Sequence, residues 1–211
     1  MTQIIAGIDE AGRGSVLASL IVCLASCRRA DEKKLNKLCR KDSKQLSPKQ
    51  REEILVKLKE FITFKVCELT AKDINRLMDK ENLNDIEAGA MAGLAKPLKN
   101  ADIMIDLPDR YEWIFRKRME RLGVKKFEAQ HKADENYPIV AAASIQAKVM
   151  RDAIVTELRA STGVDFGSGY PSDPKTRRAL VNKESAKAID AIIRKKWKTL
   201  ENVKQRKLFE D

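Results

Sequence analysis

The sequence predicts an α/β protein with a β-rich start, alternating helices and strands through its middle, and an α-helical end. Three observations carry that expectation. Two aliphatic runs, Ile4–Ile8 and Val16–Ala25, open the chain and read as strands. Segments of helical period then alternate with short aliphatic runs as far as Ala160. After Ser161 the texture turns to Gly, Ser, Pro and Asp through Pro174, and two short basic helices and a polar tail follow.

Each element has its own signal. Ile4–Ile8 is a buried strand that stops at the glycine-rich turn Asp9-Glu10-Ala11-Gly12-Arg13-Gly14, and Val16–Ala25 returns antiparallel to it. Ala30–Cys39 places Leu35 and Leu38 at helical spacing. Ser47-Pro48 opens a helix, with Ser47 as N-cap, Pro48 as first helical residue, and Ile54, Leu55, Leu58 and Phe61 as the apolar face. Phe64–Leu69 alternates as a strand, and Ala71–Met78 and Asn84–Leu98 read as helices. Asp102–Asp106 is a short buried strand, Arg110–Leu122 an amphipathic helix and Lys125–Gln130 another strand. Pro138 starts a long helix whose front, Val140–Ile145, is so rich in Ala that another element must pack closely on it.

Composition narrows the class. Hydrophobic residues make up 43%, enough for a core, and aromatics only 5%, so that core is aliphatic. The formal charge of +11 points to a polyanion, nucleic acid before membrane. The longest apolar run, Val16–Cys27, is broken by two serines and is too short to span a bilayer. No secretory signal opens the chain, so a cytoplasmic protein is expected. Cys23, Cys27, Cys39 and Cys67 lack zinc-type spacing and read as reduced, buried thiols.

Candidate chemistry lies in the acids. Asp9 and Glu10 adjoin at the end of a buried strand, where two carboxylates repel and lose solvation unless a cation sits there; a solvated turn is the alternative. The glycines of Gly12-Arg13-Gly14 let backbone N–H groups approach a ligand while the guanidinium binds phosphate. Asp106 ends the Ile103–Ile105 strand, a position where open α/β sheets place ligands, and it equally suits a cap or turn. Asp134 precedes the long helix and is also a possible cap, and Asp152 is a rival that can simply pair with Arg151 or Lys148. His131, the only histidine, cannot build a histidine-rich zinc site, so a metal here takes oxygen ligands, as magnesium and manganese do. Tyr170, in Gly167-Ser168-Gly169-Tyr170-Pro171, is either a packing residue or a ring held against a sugar or base. Trp197, in a basic run, reads as a core anchor, with a base stacker as the alternative.

Together these segments resemble the type 2 ribonuclease H family, ribonuclease HII, and its archaeal branch in particular. Gly7–Gly14 matches the family's first motif letter for letter, and Asp42-Ser43-Lys44-Gln45-Leu46 resembles its Asp-Ser-Lys-x-Leu segment. His131–Asp134, Ala141–Lys148, Gly167–Thr176 and Arg194–Thr199 resemble later blocks in the same order. Two departures stand out. Leu107-Pro108 replaces the small residues often found after the third acid, and Ser15–Ser19 lacks the usual prolines. The resemblance implies a ribonuclease H-like mixed β-sheet flanked by helices, with residues 1–160 as catalytic domain and 161–211 as a helical, substrate-binding appendage of the same compact unit.

It also implies four metal-binding catalytic carboxylates, Asp9, Glu10, Asp106 and Asp134, holding two Mg²⁺ or Mn²⁺ ions. The implied reaction hydrolyses the RNA strand of RNA–DNA hybrids and cuts 5′ to ribonucleotides in duplex DNA, leaving a 5′-phosphate and a 3′-hydroxyl. Gly12, Arg13, Gly14 and Tyr170 would read the ribose and its junction, and Lys44, Ser144 and Lys148 would contact phosphate. A monomer is expected. Gln205-Arg206-Lys207-Leu208-Phe209 resembles a truncated sliding-clamp-binding peptide, with a frayed polar end as the alternative. The rival readings are a type 3 ribonuclease H, which usually carries an extra N-terminal domain, and a non-catalytic basic nucleic-acid-binding protein.

Overall fold

A computed structural model describes residues 3–39, 46–197 and 200. Its centre is a five-stranded sheet of order β3-β2-β1-β4-β5. Strand β1 (Ile4–Ala11) pairs antiparallel with β2 (Leu20–Arg28), and the register sets Asp9 opposite Cys23. On its other side β1 runs parallel to β4 (Ala101–Asp106), which runs parallel to β5 (Glu128–Gln130); β3 (Thr63–Leu69) forms the far edge. The sheet is therefore mixed, as expected. The central strands bury nearly every residue, which is why β1 and β2 read as continuous aliphatic runs rather than alternating ones.

Nine α-helices occur among the described residues: α1 (Glu32–Leu38), α2 (Pro48–Leu58), α3 (Ala71–Leu77), α4 (Leu83–Ala95), α5 (Glu112–Arg121), α6 (Ala133–Asn136), α7 (Pro138–Thr162), α8 (Pro174–Val181) and α9 (Lys183–Ala188). The start of α2 is as the sequence requires: Ser47 accepts from the Gln50 N–H, Gln50 reaches back to the Ser47 N–H, and Pro48 follows. The Ala-rich front of α7 meets the close neighbour that its composition demands. A Cβ on Gly7 of β1 would lie 2.5 Å from the Ile139 carbonyl carbon and the Val140 nitrogen, so strand and helix backbones touch there.

Several boundaries differ from expectation; α2 ends at Leu58, leaving Phe61 outside it, and α4 ends at Ala95 rather than Leu98. The second strand begins at Leu20, not Val16, because Ala18 takes a left-handed φ of 68°, which no strand tolerates. The fifth strand shortens to Glu128–Gln130. Lys132, at φ 57°, turns the chain into a separate short helix, α6, ahead of the long one. Cys67 is only half-buried, whereas Cys23, Cys27 and Cys39 are buried, and all four are free thiols. No helix among the described residues is long and apolar enough to cross a membrane.

The chain divides into two compact units. The first comprises Met1–Ala11, Ile21–Cys67 and Leu83–Val149, and the second Gly12–Leu20, Glu68–Asn82 and Met150–Asp211. The second unit therefore draws two segments from the N-terminal half. Its core is Val16, Leu17, Ala18, Val155, Phe166, Ala179, Leu180, Ile189 and Leu200, with Trp197 packed against it as the core anchor its sequence suggests.

Candidate active site

In the first unit, β1 and β4 end side by side, because Ile8 is in register with Ile105 and each strand then delivers an acid. Ligand oxygens of Asp9, Glu10 and Asp106 all lie within 4.8 Å of one another. Asp9 is 4% exposed, and its Oδ1 accepts the Glu10 N–H at 2.7 Å. Burial, reinforced by the neighbouring Asp106 charge, pushes the Asp9 carboxyl up to about 7, against the opposing pull of a Ser144 hydrogen bond and the Lys148 charge.

Asp106 Oδ1 accepts the Ala133 N–H at 2.6 Å, tying the end of β4 to the first residue of α6. Asp134 follows in that first turn and is buried. It lies outside the three-acid cluster but is linked to it: its Oδ2 is 3.9 Å from Lys148 Nζ, which donates to Ser144 Oγ at 2.7 Å. The four predicted carboxylates thus belong to one connected set that includes both Ser144 and Lys148.

The donor set fits a divalent cation. Acids crowded in a buried place repel one another, and a hard cation removes that cost while matching all-oxygen ligation. Glu10 Oε2 and Asp134 Oδ1 are buried and accept no hydrogen bond, although both residues are engaged through other interactions. The set contains neither Cys nor His, which disfavours zinc.

The predicted ribose-reading residues fall in the second unit. Gly12 is buried at φ 91°, and a Cβ there would lie 2.7 Å from Arg151 Nε and 2.8 Å from the Ser19 carbonyl oxygen, so folding alone demands glycine. Gly14 is different. It is exposed, and a Cβ there would meet only Tyr170 Cε1 at 3.9 Å, an ordinary contact, so packing does not require its missing side chain. Tyr170 is half-buried with the Arg151 guanidinium 4.5 Å from its ring centroid. Asp173 accepts from the Ser168 N–H and hydroxyl and caps α8, which stiffens the tyrosine loop.

Other candidates resolve as follows. Asp152 lies 3.9 Å from Arg151, the structural pairing that its sequence allowed. His131 is exposed, with Nε2 3.3 Å from the Arg110 carbonyl oxygen. Lys44 and the tail Gln205–Phe209 lie outside the described residues. Sequence reasoning missed two buried arginines, Arg151 and Arg194, at 5% and 0% exposure. Arg151 donates to Ser15 Oγ and to the Ser168 carbonyl. Its one signal is a charge following the apolar Val149-Met150 pair in a long helix.

The ribonuclease HII family model matches residues 6–200. A ribonuclease HII of Methanococcus maripaludis is 40% identical, covering 99% of this chain and 92% of that protein. The ribonuclease HII of Archaeoglobus fulgidus is 38% identical over 96% of this chain and 98% of its own. Among solved structures, a complex of PCNA and RNase HII from Archaeoglobus fulgidus has a TM-score of 0.85 at 38% identity, covering 94% of this chain and 95% of that one. The ribonuclease H2 from Pyrococcus horikoshii has a TM-score of 0.83 at 35% identity, covering 97% and 98%. A Bst-RNase HIII solved with Mn²⁺, at 20% identity, covers 96% of this chain and 69% of its own with a TM-score of 0.76, and shares the fold.

Proposed function

The chain belongs to the ribonuclease HII family, and from that premise we propose how its own residues perform the reaction. It is a divalent-metal-dependent endonuclease that hydrolyses RNA in RNA–DNA hybrids. The finer reading is that it also cuts 5′ to single ribonucleotides embedded in duplex DNA, leaving a 5′-phosphate and a 3′-hydroxyl.

The observation that carries this reading is the buried Asp9 with Glu10 and Asp106 oxygens within 4.8 Å. Asp9, Glu10, Asp106 and Asp134 would hold two Mg²⁺ or Mn²⁺ ions. Such ions supply Lewis-acid polarisation of the phosphate, acidify the attacking water and neutralise charge at the leaving 3′ oxygen. Lys148, anchored on Ser144, balances the carboxylate charge and presents an ammonium to the scissile phosphate. Lys44 is a further phosphate contact. Backbone groups of Gly12-Arg13-Gly14 recognise the 2′-hydroxyl, the local mark of RNA. Tyr170, backed by Arg151, packs on the adjoining sugar. Residues 1–160 carry the carboxylates, and 161–211 form the helical substrate-binding region. Action as a monomer and a cytoplasmic location belong to the same reading. A sliding clamp is a further partner, through Gln205–Phe209; the Archaeoglobus relative was solved in complex with PCNA. Losing clamp pull-down on deleting residues after Lys204 is the expected result.

The decisive assay uses duplex DNA with one ribonucleotide, with and without Mg²⁺ or Mn²⁺. A single metal-dependent cut on its 5′ side is expected. No cut with either metal, by protein that still cleaves hybrids, would limit the activity to RNA–DNA hybrids.

A further inference from the structure

Arg194 heads the largest fully buried side chains among the described residues, at 0% exposure. A guanidinium taken out of water needs specific compensation, and here that comes from the main chain. Nη1 donates to the Gly12 carbonyl at 2.8 Å and the Arg13 carbonyl at 3.3 Å, and Nε donates to the Ala18 carbonyl at 2.9 Å. Trp197 lies against the guanidinium, 5.1 Å from ring centroid to carbon. The backbone that carries Arg194 is fixed too. Its N–H donates to the Val16 carbonyl, Leu17 bridges Ile193, and Asn75 binds the Ile193 carbonyl and the Lys195 N–H. All these groups belong to the second unit.

This fork grips the motif that the functional reading assigns to the 2′-hydroxyl, and it grips the acceptor side of that motif. The Gly12 carbonyl shares one planar peptide with the Arg13 N–H, and the Arg13 carbonyl shares the next with the Gly14 N–H. The structure contains no cis peptide bond among the described residues, and in a trans peptide C=O and N–H point in opposite directions. Drawing both carbonyls onto one buried cation therefore turns both N–H groups away from it. The same cation polarises the two peptides and strengthens those donors. Exposed Gly14, with no Cβ to obstruct it, leaves the second donor open to approach.

We propose that Arg194 is a positioning residue that orients the Arg13 and Gly14 amides as a paired donor for the ribose oxygen of the substrate. The proposal rests on the assignment of Gly12-Arg13-Gly14 to ribose recognition. Lysine keeps the charge but cannot span three carbonyls with a planar fork. Arg194→Lys should therefore keep its Mn²⁺ affinity by calorimetry and its duplex Kd within about threefold, while the single-turnover rate at an isolated ribonucleotide falls about 10- to 100-fold. A rate within twofold of wild type in folded Arg194→Lys would overturn the proposal, as would a loss confined to KM. Should that variant not fold, the wild type alone supplies the test. In EDTA, the Arg13 and Gly14 amide resonances should shift more on adding a ribonucleotide-containing duplex than on adding the all-DNA duplex. Equal shifts would overturn it. Failure of the wild type to cut the ribonucleotide duplex is a different result, since it removes the underlying ribose-recognition reading rather than the role of Arg194.

Discussion

At the scale of single residues, Asp9 sits where its charge is costly, and the direction of that cost sets the response to pH. Its carboxyl rises from 3.8 to about 7, through burial first and Asp106 second. An acid with a higher pKa folded than unfolded makes the folded state the stronger proton binder between those values, so stability falls as pH rises from 3.8 to about 7. In EDTA, Asp9→Asn should melt several degrees above wild type at pH 8 and show little difference at pH 3, where neither side chain is charged. Metal affinity of the wild type should rise with pH through this window, because the proton must leave before the metal binds. Cleavage by Asp9→Asn should vanish while duplex binding survives; near-wild-type turnover by the folded variant would remove the metal reading. Tyr170 makes a contact worth roughly 1–3 kcal/mol if its ring meets a sugar, so Tyr170→Ala should lose about 5- to 150-fold in single-turnover rate at an isolated ribonucleotide. Tyr170→Phe should keep most of it. Parallel losses on single-ribonucleotide and all-RNA substrates that track melting temperature would make Tyr170 a packing residue only. The cluster of Asp9, Glu10 and Asp106 was legible because its chemistry is odd for its place: acids at the ends of aliphatic strands. Arg151 and Arg194 were not. Their partners are mostly distant main-chain oxygens, carbonyls that no pattern of side chains reveals.

At the scale of elements, Gly7 decides how β1 meets α7. An alanine there would place its Cβ 2.5 Å from main-chain atoms of Ile139 and Val140, and neither can rotate away. Overpacking of this kind costs about 1–3 kcal/mol, so Gly7→Ala should lower the melting temperature by about 2–12 °C. A thermal scan showing no loss would mean that α7 slides freely on the strand. The Ala-rich front of α7, the Ser47-Pro48 start and the Asp102–Asp106 strand were all readable, because capping and burial leave local signatures. The late start of β2 was not, since Val16-Leu17-Ala18 is as aliphatic as any strand. It is buried in a different core, with Val155, Phe166 and Leu180, all more than a hundred residues away. Helix α6 escaped for a similar reason. Only the backbone shows the left-handed Lys132 that begins it, and lysine gives no warning of that conformation.

At the scale of the whole molecule, the charge of +11 is the property most directly counted from sequence. If about five phosphates are contacted, the log–log dependence of duplex binding on salt should have a slope near −4 to −5. A flat response would make the basic excess incidental to substrate binding. The division into units was the least legible property, because Gly12–Leu20 and Glu68–Asn82 join residues from the far end of the chain. That interleaving has a consequence in time. Arg194 and the Gly12 carbonyl are 182 positions apart. A ribosome adds about 5–20 residues per second, so the turn waits about 10–40 s during synthesis for the guanidinium that completes it. The strand bearing Asp9 and Glu10 is therefore made long before the guanidinium that holds the turn following it. Until then the Gly12 and Arg13 carbonyls lack the buried cation that holds them.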